Sequence, residues 1–425
     1  MKGDPMDEKK DTVLLHNIGK LYSFPGEGPV PGSMMDKPTI IEDAAVTVRN
    51  GKISSVGTSE EIWEKADLAE DANCIDCNGC AVLPGFVDPH THAVFAGSRE
   101  FEIAMKLKGA SYLEILEAGG GIIRTMKETR NTSEEELSAG LDERLDRMIS
   151  YGTTSVEVKS GYGLDTETEL KLLRAIKNSK SPITRVSTFL GPHAIPPEYR
   201  GREDEFIELM ISILPYIKEE GLAEYADIFC EKGVFTAEQS RRFLEAAKNA
   251  GLKVKIHSDE IENLGGTVIA SELGADSADH LLVSKEADMR SMKESGTIPI
   301  VLPGTLMTIF EQRVPEVRKM MEMDLPVAIA TDLNPNCMVE NLQFIQTHAC
   351  YRLRMTPNEI LAASTVNPAH AIGLGSRKGR IAEGYDADMV ILKDPSFDHV
   401  VYHFGVNHVE KVLIGGNVVR DNMSW

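Results

Sequence analysis

Hydrophobic and polar positions change rhythm twice along this chain. Between residues 12 and 80, apolar and polar residues alternate in short runs: Thr12-Val-Leu-Leu15, Ala45-Val-Thr-Val48 and Lys52-Ile-Ser-Ser-Val56. A period of two predicts half-buried strands, and Asn50-Gly51 between the last two runs predicts a hairpin turn. The far end repeats the texture, with Gly379–Leu392 and Val409–Val419 reading as β. Residues 1–80 and 374–425 are therefore expected to build one small β domain, with residues 81–373 inserted between them.

Within the insert the rhythm becomes strand, helix, strand, helix. Candidate strands are Val82–Val87, Thr154–Val158, Arg185–Leu190, Ala226–Cys230, Lys253–Ile256, Ser277–Leu282, Ile298–Leu302 and Val327–Ala330. Helix starts are signalled by Ser133-x-x-Glu136 ahead of the Leu137, Leu141, Leu145, Met148 stripe, by Thr236-x-x-Gln239, and by Thr356-Pro357. Eight strands with intervening helices predict an α/β fold, a (β/α)8 barrel. A doubly wound open sheet would carry a glycine-rich phosphate turn after its first strand; this chain has His90-Thr-His92 there.

Side chains two apart on a strand share a face, so His90 and His92 aim at one point. The other strand ends carry His193, His257, Asp279-His280 and Thr331-Asp332; of 11 histidines, five fall at such ends. His90, His92, His257 and Asp332 make a three-nitrogen, one-oxygen set suited to catalytic zinc or iron with room for water. Glu260 could move a proton beside the ion, and His280 could orient the water or stabilise charge on the attacked oxygen. Taken singly, His193 and His280 also read as hydrogen-bonded core histidines, and Asp332 as a helix cap.

Composition narrows the partners. A net charge of −21 over 425 residues argues against nucleic acid or an anionic membrane. No apolar run is long enough to span a bilayer, and the first dozen residues carry no signal-peptide core, so the expected location is the cytoplasm. Cys74, Cys77 and Cys80 could clip a metal, but their strand–turn–strand setting favours packing. Gly119–Gly121 lacks the Lys-Ser/Thr of a phosphate loop and reads as a lid segment. Met320-Met-Glu-Met323 reads as helix packing.

The run Pro84–His92, the His257 strand, Asp279-His280 and Thr331-Asp332 resemble the amidohydrolase superfamily, metal-dependent hydrolases on a distorted (β/α)8 barrel with a flanking β-sandwich. The segments His90–Glu100, Lys106–Tyr112 with Ala118–Gly121, Glu157–Leu164, Gly191–Tyr199, His257–Glu260 and Ala330–Asn336 narrow the resemblance. They are similar to the one-metal members that open the ring of 4-imidazolone-5-propanoate in histidine degradation, giving N-formimidoyl-L-glutamate.

The resemblance implies one Zn2+ or Fe2+/Fe3+ ion per subunit on His90, His92, His257 and Asp332. It also implies a small-molecule substrate contacted by Arg99, Tyr162, His193 and Glu260, with a homodimer among the assemblies it allows. Glu260, His280 and Asp332 are the candidates for removing the water's proton. Many bacterial members follow the metal aspartate with Asn-Pro-Gly and a Ser or Thr, whereas this chain reads Asn334-Pro-Asn336-Cys337. Asn334 carries over, Asn336 keeps a backbone contact, and Cys337 lacks the hydroxyl. Competing readings are a two-metal hydrolase bridged by a carboxylated Lys159, resembling dihydroorotases or hydantoinases, a nucleobase deaminase, and a non-catalytic barrel.

Overall fold

The computed structural model describes residues 12–65, 73–110, 114–115 and 118–422. The polar first residues, 1–11, and Ser111-Tyr112 of the family-like segments lie outside the described residues. The N-terminal part supplies strands β1 (Thr12–Ser23), β2 (Thr39–Arg49), β3 (Lys52–Thr58), β4 (Asn73–Asp76) and β5 (Ala81–Pro84). The middle supplies β6 (Phe86–Asp88), β7 (Thr153–Lys159), β8 (Thr184–Phe189), β9 (Tyr225–Ala226), β10 (Phe229–Cys230), β11 (Lys253–Ser258), β12 (Ser277–His280), β13 (Ile298–Val301) and β14 (Ala328–Ile329). The C-terminal part adds β15 (Met389–Leu392), β16 (Val409–Ile414) and β17 (Asn417–Asp421).

Both chain ends share one outer sheet, in the order β17-β16-β15-β5-β1-β2-β3, with β4 beside β1. The expected β2–β3 hairpin forms, antiparallel from Arg49 opposite Lys52. A second, parallel sheet runs β14-β13-β12-β11-β9-β8-β7-β6. It approaches closure where Thr91 bridges Leu333, Thr331 Oγ1 donates to Asp88 at 2.6 Å and Asp332 N–H donates to the His90 carbonyl oxygen at 3.1 Å. This is the expected barrel. Its helices start where the caps indicate: reciprocal capping boxes open Glu134–Ser150, Ala237–Asn249 and Pro357–Ser364. Leu137, Leu141, Leu145 and Met148 are all buried, as a stripe facing the barrel requires.

Three expectations change. The single first strand, 82–87, is two strands in two sheets: β5 pairs with β1 and β15, and only β6 enters the barrel, beside β7. Gly85 is the joint between them. A Cβ there would lie 2.2 Å from Thr154 Oγ1, so only glycine lets the chain pass that close. The strand expected over 226–230 breaks at Asp227-Ile228 into β9 and β10. Of Gly379–Leu392, only the last four residues are strand.

Cys77 is buried and Cys74 exposed, and β4 and β5 each lie parallel to β1. Burial, with Asp76 nearby, pushes the Cys77 thiol up to about 12, away from the thiolate a metal needs. Met320 and Met321 are buried in the helix Val317–Glu322. Among the described residues, no helix is long and apolar enough to cross a membrane.

Candidate metal centre and active site

The strand ends converge as the spacing requires. His90 and His92 follow β6, His257 lies in β11 and Asp332 follows β14; all four are buried. His257 Nε2 lies 3.4 Å from His92 Nε2. Asp332 Oδ1 lies 3.4 Å from His92 Nε2 and 3.6 Å from His90 Nε2. Donor atoms so spaced suit neighbouring ligands of one ion with bonds of ~2.1 Å.

The outer nitrogens are held from behind. His90 Nδ1 sits 2.6 Å from Asp279 Oδ2, and His257 Nδ1 sits 2.9 Å from Asp227 Oδ2. A carboxylate on Nδ1 keeps the proton there and turns the Nε2 lone pair forward. His90 Nε2 and Asp332 Oδ1 are buried without a hydrogen-bond partner, while Thr305 donates its hydroxyl to the other Asp332 oxygen. Unpaired acceptors facing one another in a dry interior are costly. A cation between them removes that cost, so the residues present fit a metal ion.

Burial pushes the His257 imidazole down to about 3, against the raising pull of Asp227, and holds His90 and His92 well below the usual range. All three are neutral, ligand-ready imidazoles at neutral pH. Burial raises the Asp332 carboxyl. Asp332 and His280 both take positive φ, 50° and 81°, which costs side-chain-bearing residues energy and is common where function fixes the backbone.

A cavity of about 140 Å³ opens over this centre, bordered by His92, Arg99, Tyr162, His193, Glu260 and His280 together with Asp332, Asn334 and Asn336. His193 stacks on His92 with ring centroids 4.7 Å apart, and its Nδ1 lies 3.1 Å from the Gly161 carbonyl oxygen. Burial takes His193 down to about 4. Tyr162 is buried and its phenol pushed up by burial. The preceding Gly161 has φ 113°, and a Cβ there would meet the Leu190 carbonyl oxygen at 2.9 Å. Glu260 lies with Oε2 3.6 Å from His280 Nδ1, and burial, with Glu231 nearby, raises it to about 7.

Several predicted residues have prior engagements. Arg99 donates Nε and Nη2 to the buried Glu102 carboxylate, at 2.8 and 2.9 Å. Glu102 also accepts the Gly121 N–H at 2.7 Å, where the helix Gly121–Asn131 begins, so the glycine run is a helix start anchored to the Arg99 partner. The Asn334 amide donates to the Asp332 carbonyl oxygen and accepts from the Asn336 and Cys337 N–H groups, so it staples its own loop. Asn336 meets Lys106 through its side chain. Cys337 is buried with Sγ 3.7 Å from the Thr331 carbonyl oxygen, away from the cavity.

Lys159 Nζ is buried 2.7 Å from Asp227, 2.9 Å from Glu157 and 3.6 Å from Asp279. Burial opposes its charge, but these carboxylates outweigh it and raise the pKa above the ordinary lysine value. Carboxylation needs the free amine, so this setting disfavours the bridging-lysine reading.

Sequence reasoning missed Asp227, Thr305 and Glu102. Asp227 lies in a strand break, and an acidic residue one turn after an arginine reads as an ordinary surface pair.

A family model described as "Amidohydrolase family" matches residues 81–419. The chain belongs to the amidohydrolase family. Its curated relatives are more specific. An imidazolonepropionase of Alkaliphilus metalliredigens is 46% identical over 414 residues, 96% of this chain and 98% of its own. One of Bacillus velezensis is 47% identical over 419 residues, 97% of this chain and 98% of its own. Within the family, the chain groups with these imidazolonepropionases.

Solved structures agree on the fold. An Escherichia coli guanine deaminase superposes with a TM-score of 0.74 at 14% identity, over 97% of this chain and 99% of that one. A zinc-bound adenosine deaminase of Xanthomonas campestris superposes with a TM-score of 0.67 at 17% identity, over 96% and 92%.

Proposed function

We propose that this chain hydrolyses 4-imidazolone-5-propanoate to N-formimidoyl-L-glutamate in histidine degradation. The observation that carries the reading is one cavity in which His92, His257 and Asp332, with His90 buried 3.6 Å from Asp332 beneath them, meet a wall of Arg99, Tyr162, His193 and Glu260. Relatives about 47% identical over nearly the whole chain bear the name of that activity.

His90, His92, His257 and Asp332 would hold one Zn2+ or iron ion per subunit, which would supply the Lewis acidity that makes water nucleophilic near neutral pH. The rest falls to the chain. Water adds to the ring carbonyl carbon, the adjacent ring C–N bond breaks, and the nitrogen departs with a proton. Glu260, balanced near pH 7, takes the proton from water and returns it to that nitrogen. Asp332 is less free to do so, since Thr305 occupies one of its oxygens and the other faces the histidines.

His280 steadies the Glu260 carboxylate and stabilises charge developing on the attacked oxygen. His193, donating Nδ1–H to Gly161, presents Nε2 as an acceptor for a ring N–H. The Tyr162 phenol stays protonated and donates. Arg99, held by Glu102, meets the propionate carboxylate with the N–H groups that pair leaves over. Asn334 acts by shaping the loop that carries Asn336 to the cavity rim.

The test is metal analysis beside an assay that follows loss of imidazolone absorbance. His257→Ala is expected to lose both metal and rate. Glu260→Gln is expected to keep the metal and lose about 10²–10⁴ in rate. Full activity in either variant would sink the assignment.

A further inference from the structure

The chamber over the metal centre does not end at its rim. A second cavity, of about 470 Å³, adjoins it, and Arg99, His193 and Asn336 border both. Among the described residues, the charged side chains on this outer cavity are Arg99, Glu102 and Lys106. Lys106 has no part in the chemistry set out above.

Arg99 and Glu102 largely cancel one another. Two N–H groups of Arg99 donate to the buried Glu102 carboxylate, so the guanidinium brings spare donors to the rim but little net charge. Lys106 Nζ stands 3.7 Å from Glu102 Oε2, beyond hydrogen-bond reach, and donates instead to the side-chain oxygen of Asn336. Two cations and one carboxylate leave one positive charge at the junction of the two cavities. A substrate tail that ends in a carboxylate carries one negative charge.

Asn336 is prepared for the same partner. Its backbone N–H is spent on Asn334 Oδ1 at 2.8 Å, so its side-chain amide is the N–H donor left for a ligand. An ammonium group can only donate. The amide atom facing Lys106 is therefore the oxygen, and Nδ2 is turned away from it. Among the described residues, none accepts from Nδ2.

We propose that Lys106 and the side chain of Asn336 together bind the tail carboxylate of the substrate, Lys106 supplying charge and Asn336 an N–H that Lys106 orients. With the ring over the metal ligands, the tail extends to the border that Asn336 and Arg99 share between the cavities. Arg99 then gives direction through its spare N–H groups, and Lys106 gives the charge that Arg99, paired with Glu102, does not. A ligand without the carboxylate leaves the Lys106 ammonium uncompensated and the amide N–H unmet, so the pair selects for an acidic tail.

The proposal deepens the substrate reading above and rests on it. Two measurements on the full-length, metal-loaded protein keep the two apart: turnover of 4-imidazolone-5-propanoate, and calorimetric binding of unreactive imidazole-4-propionate beside its uncharged propionamide. Lys106→Met is expected to raise KM about 10- to 100-fold with kcat changed less than about threefold, and to weaken binding of the acid by a similar factor but not that of the amide. Lys106→Arg should restore most of the loss. Asn336→Ala should raise KM about 3- to 10-fold, and the double variant should fall short of the product of the two single effects, because one residue acts partly through the other. No turnover by the unmodified protein would sink the substrate reading. An unmodified protein that binds the acid no tighter than the amide would overturn this proposal, as would a Lys106→Met variant with unchanged KM or with equal losses for acid and amide.

Discussion

The barrel centre and the outer sheet solve burial in opposite ways. The outer sheet closes over an apolar cluster that includes Leu15, Ile18, Val46, Ile53, Met389 and Leu413. Such a core gains from every methylene removed from water, about 25 cal/mol per Å², and asks nothing of its neighbours but shape. The barrel centre buries histidines, carboxylates and two lysines. Each charge there is tolerable only because another is placed to meet it. The first arrangement makes stability; the second uses stability to hold chemistry in place.

Acid should separate the two most strongly. His257 and His193 sit at about 3 and about 4 in the folded chain, pushed down by burial, against about 6.5 when unfolded. Below that value the unfolded chain binds protons that the folded one refuses. The share of metal-free stability that these two histidines carry should therefore be full above about pH 6.5 and be lost as the pH falls toward their folded values, while Glu260, raised to about 7, works the opposite way. Metal-free His193→Asn, which cannot take up that proton, should gain on the unmodified protein as the pH falls from about 6.5 toward about 4, and a difference in thermal midpoint that stays flat there would refute a neutral His193.

Glu157→Ala comes next. It removes the carboxylate shared by Lys159 and Lys255 and is expected to cost about 3–5 kcal/mol in denaturant unfolding, with metal and rate lost together. Leu15→Ala in the outer sheet is expected to cost about 2–5 kcal/mol while the folded fraction keeps its metal content and kcat/KM. If Leu15→Ala loses metal in proportion to stability, the two regions are not separable. The smallest effect is Ser133→Ala, which deletes one half of a capping box and should lower stability by about 1 kcal/mol with the site untouched.

How much of this was legible in the chain follows from the same contrast. Periodicity exposes what depends on burial alone, so the β2–β3 hairpin, the capped helices and most barrel strands are readable. The ligands are readable because His90 and His92 stand two apart just past a strand, and His257 and Asp332 lie at or just past the ends of strands of their own. The lysine cluster is not: Glu157 and Lys159, or Lys255 beside His257, present the same alternation as a solvent-exposed face, and only barrel closure turns that face inward. The division of 82–87 between sheets is equally hidden, since both halves are apolar and only Gly85 marks the change. Arg99 was legible as a cation near the site, but its pairing with Glu102 depends on the turn that brings the two side chains together.

That one-residue joint also bears on how the molecule can be taken apart. The last outer-sheet residue before it, Pro84, and the first metal-binding histidine, His90, are separated by five residues, three of them the whole of the first barrel strand. A barrel excised from its wrapping would begin with that strand as a loose chain end, held by β7 on one flank and the Thr91–Leu333 bridge on the other. Minimised versions of this scaffold should therefore retain residues 81–84 and their partner β15 as an anchor, however dispensable the remainder of the outer layer proves to be.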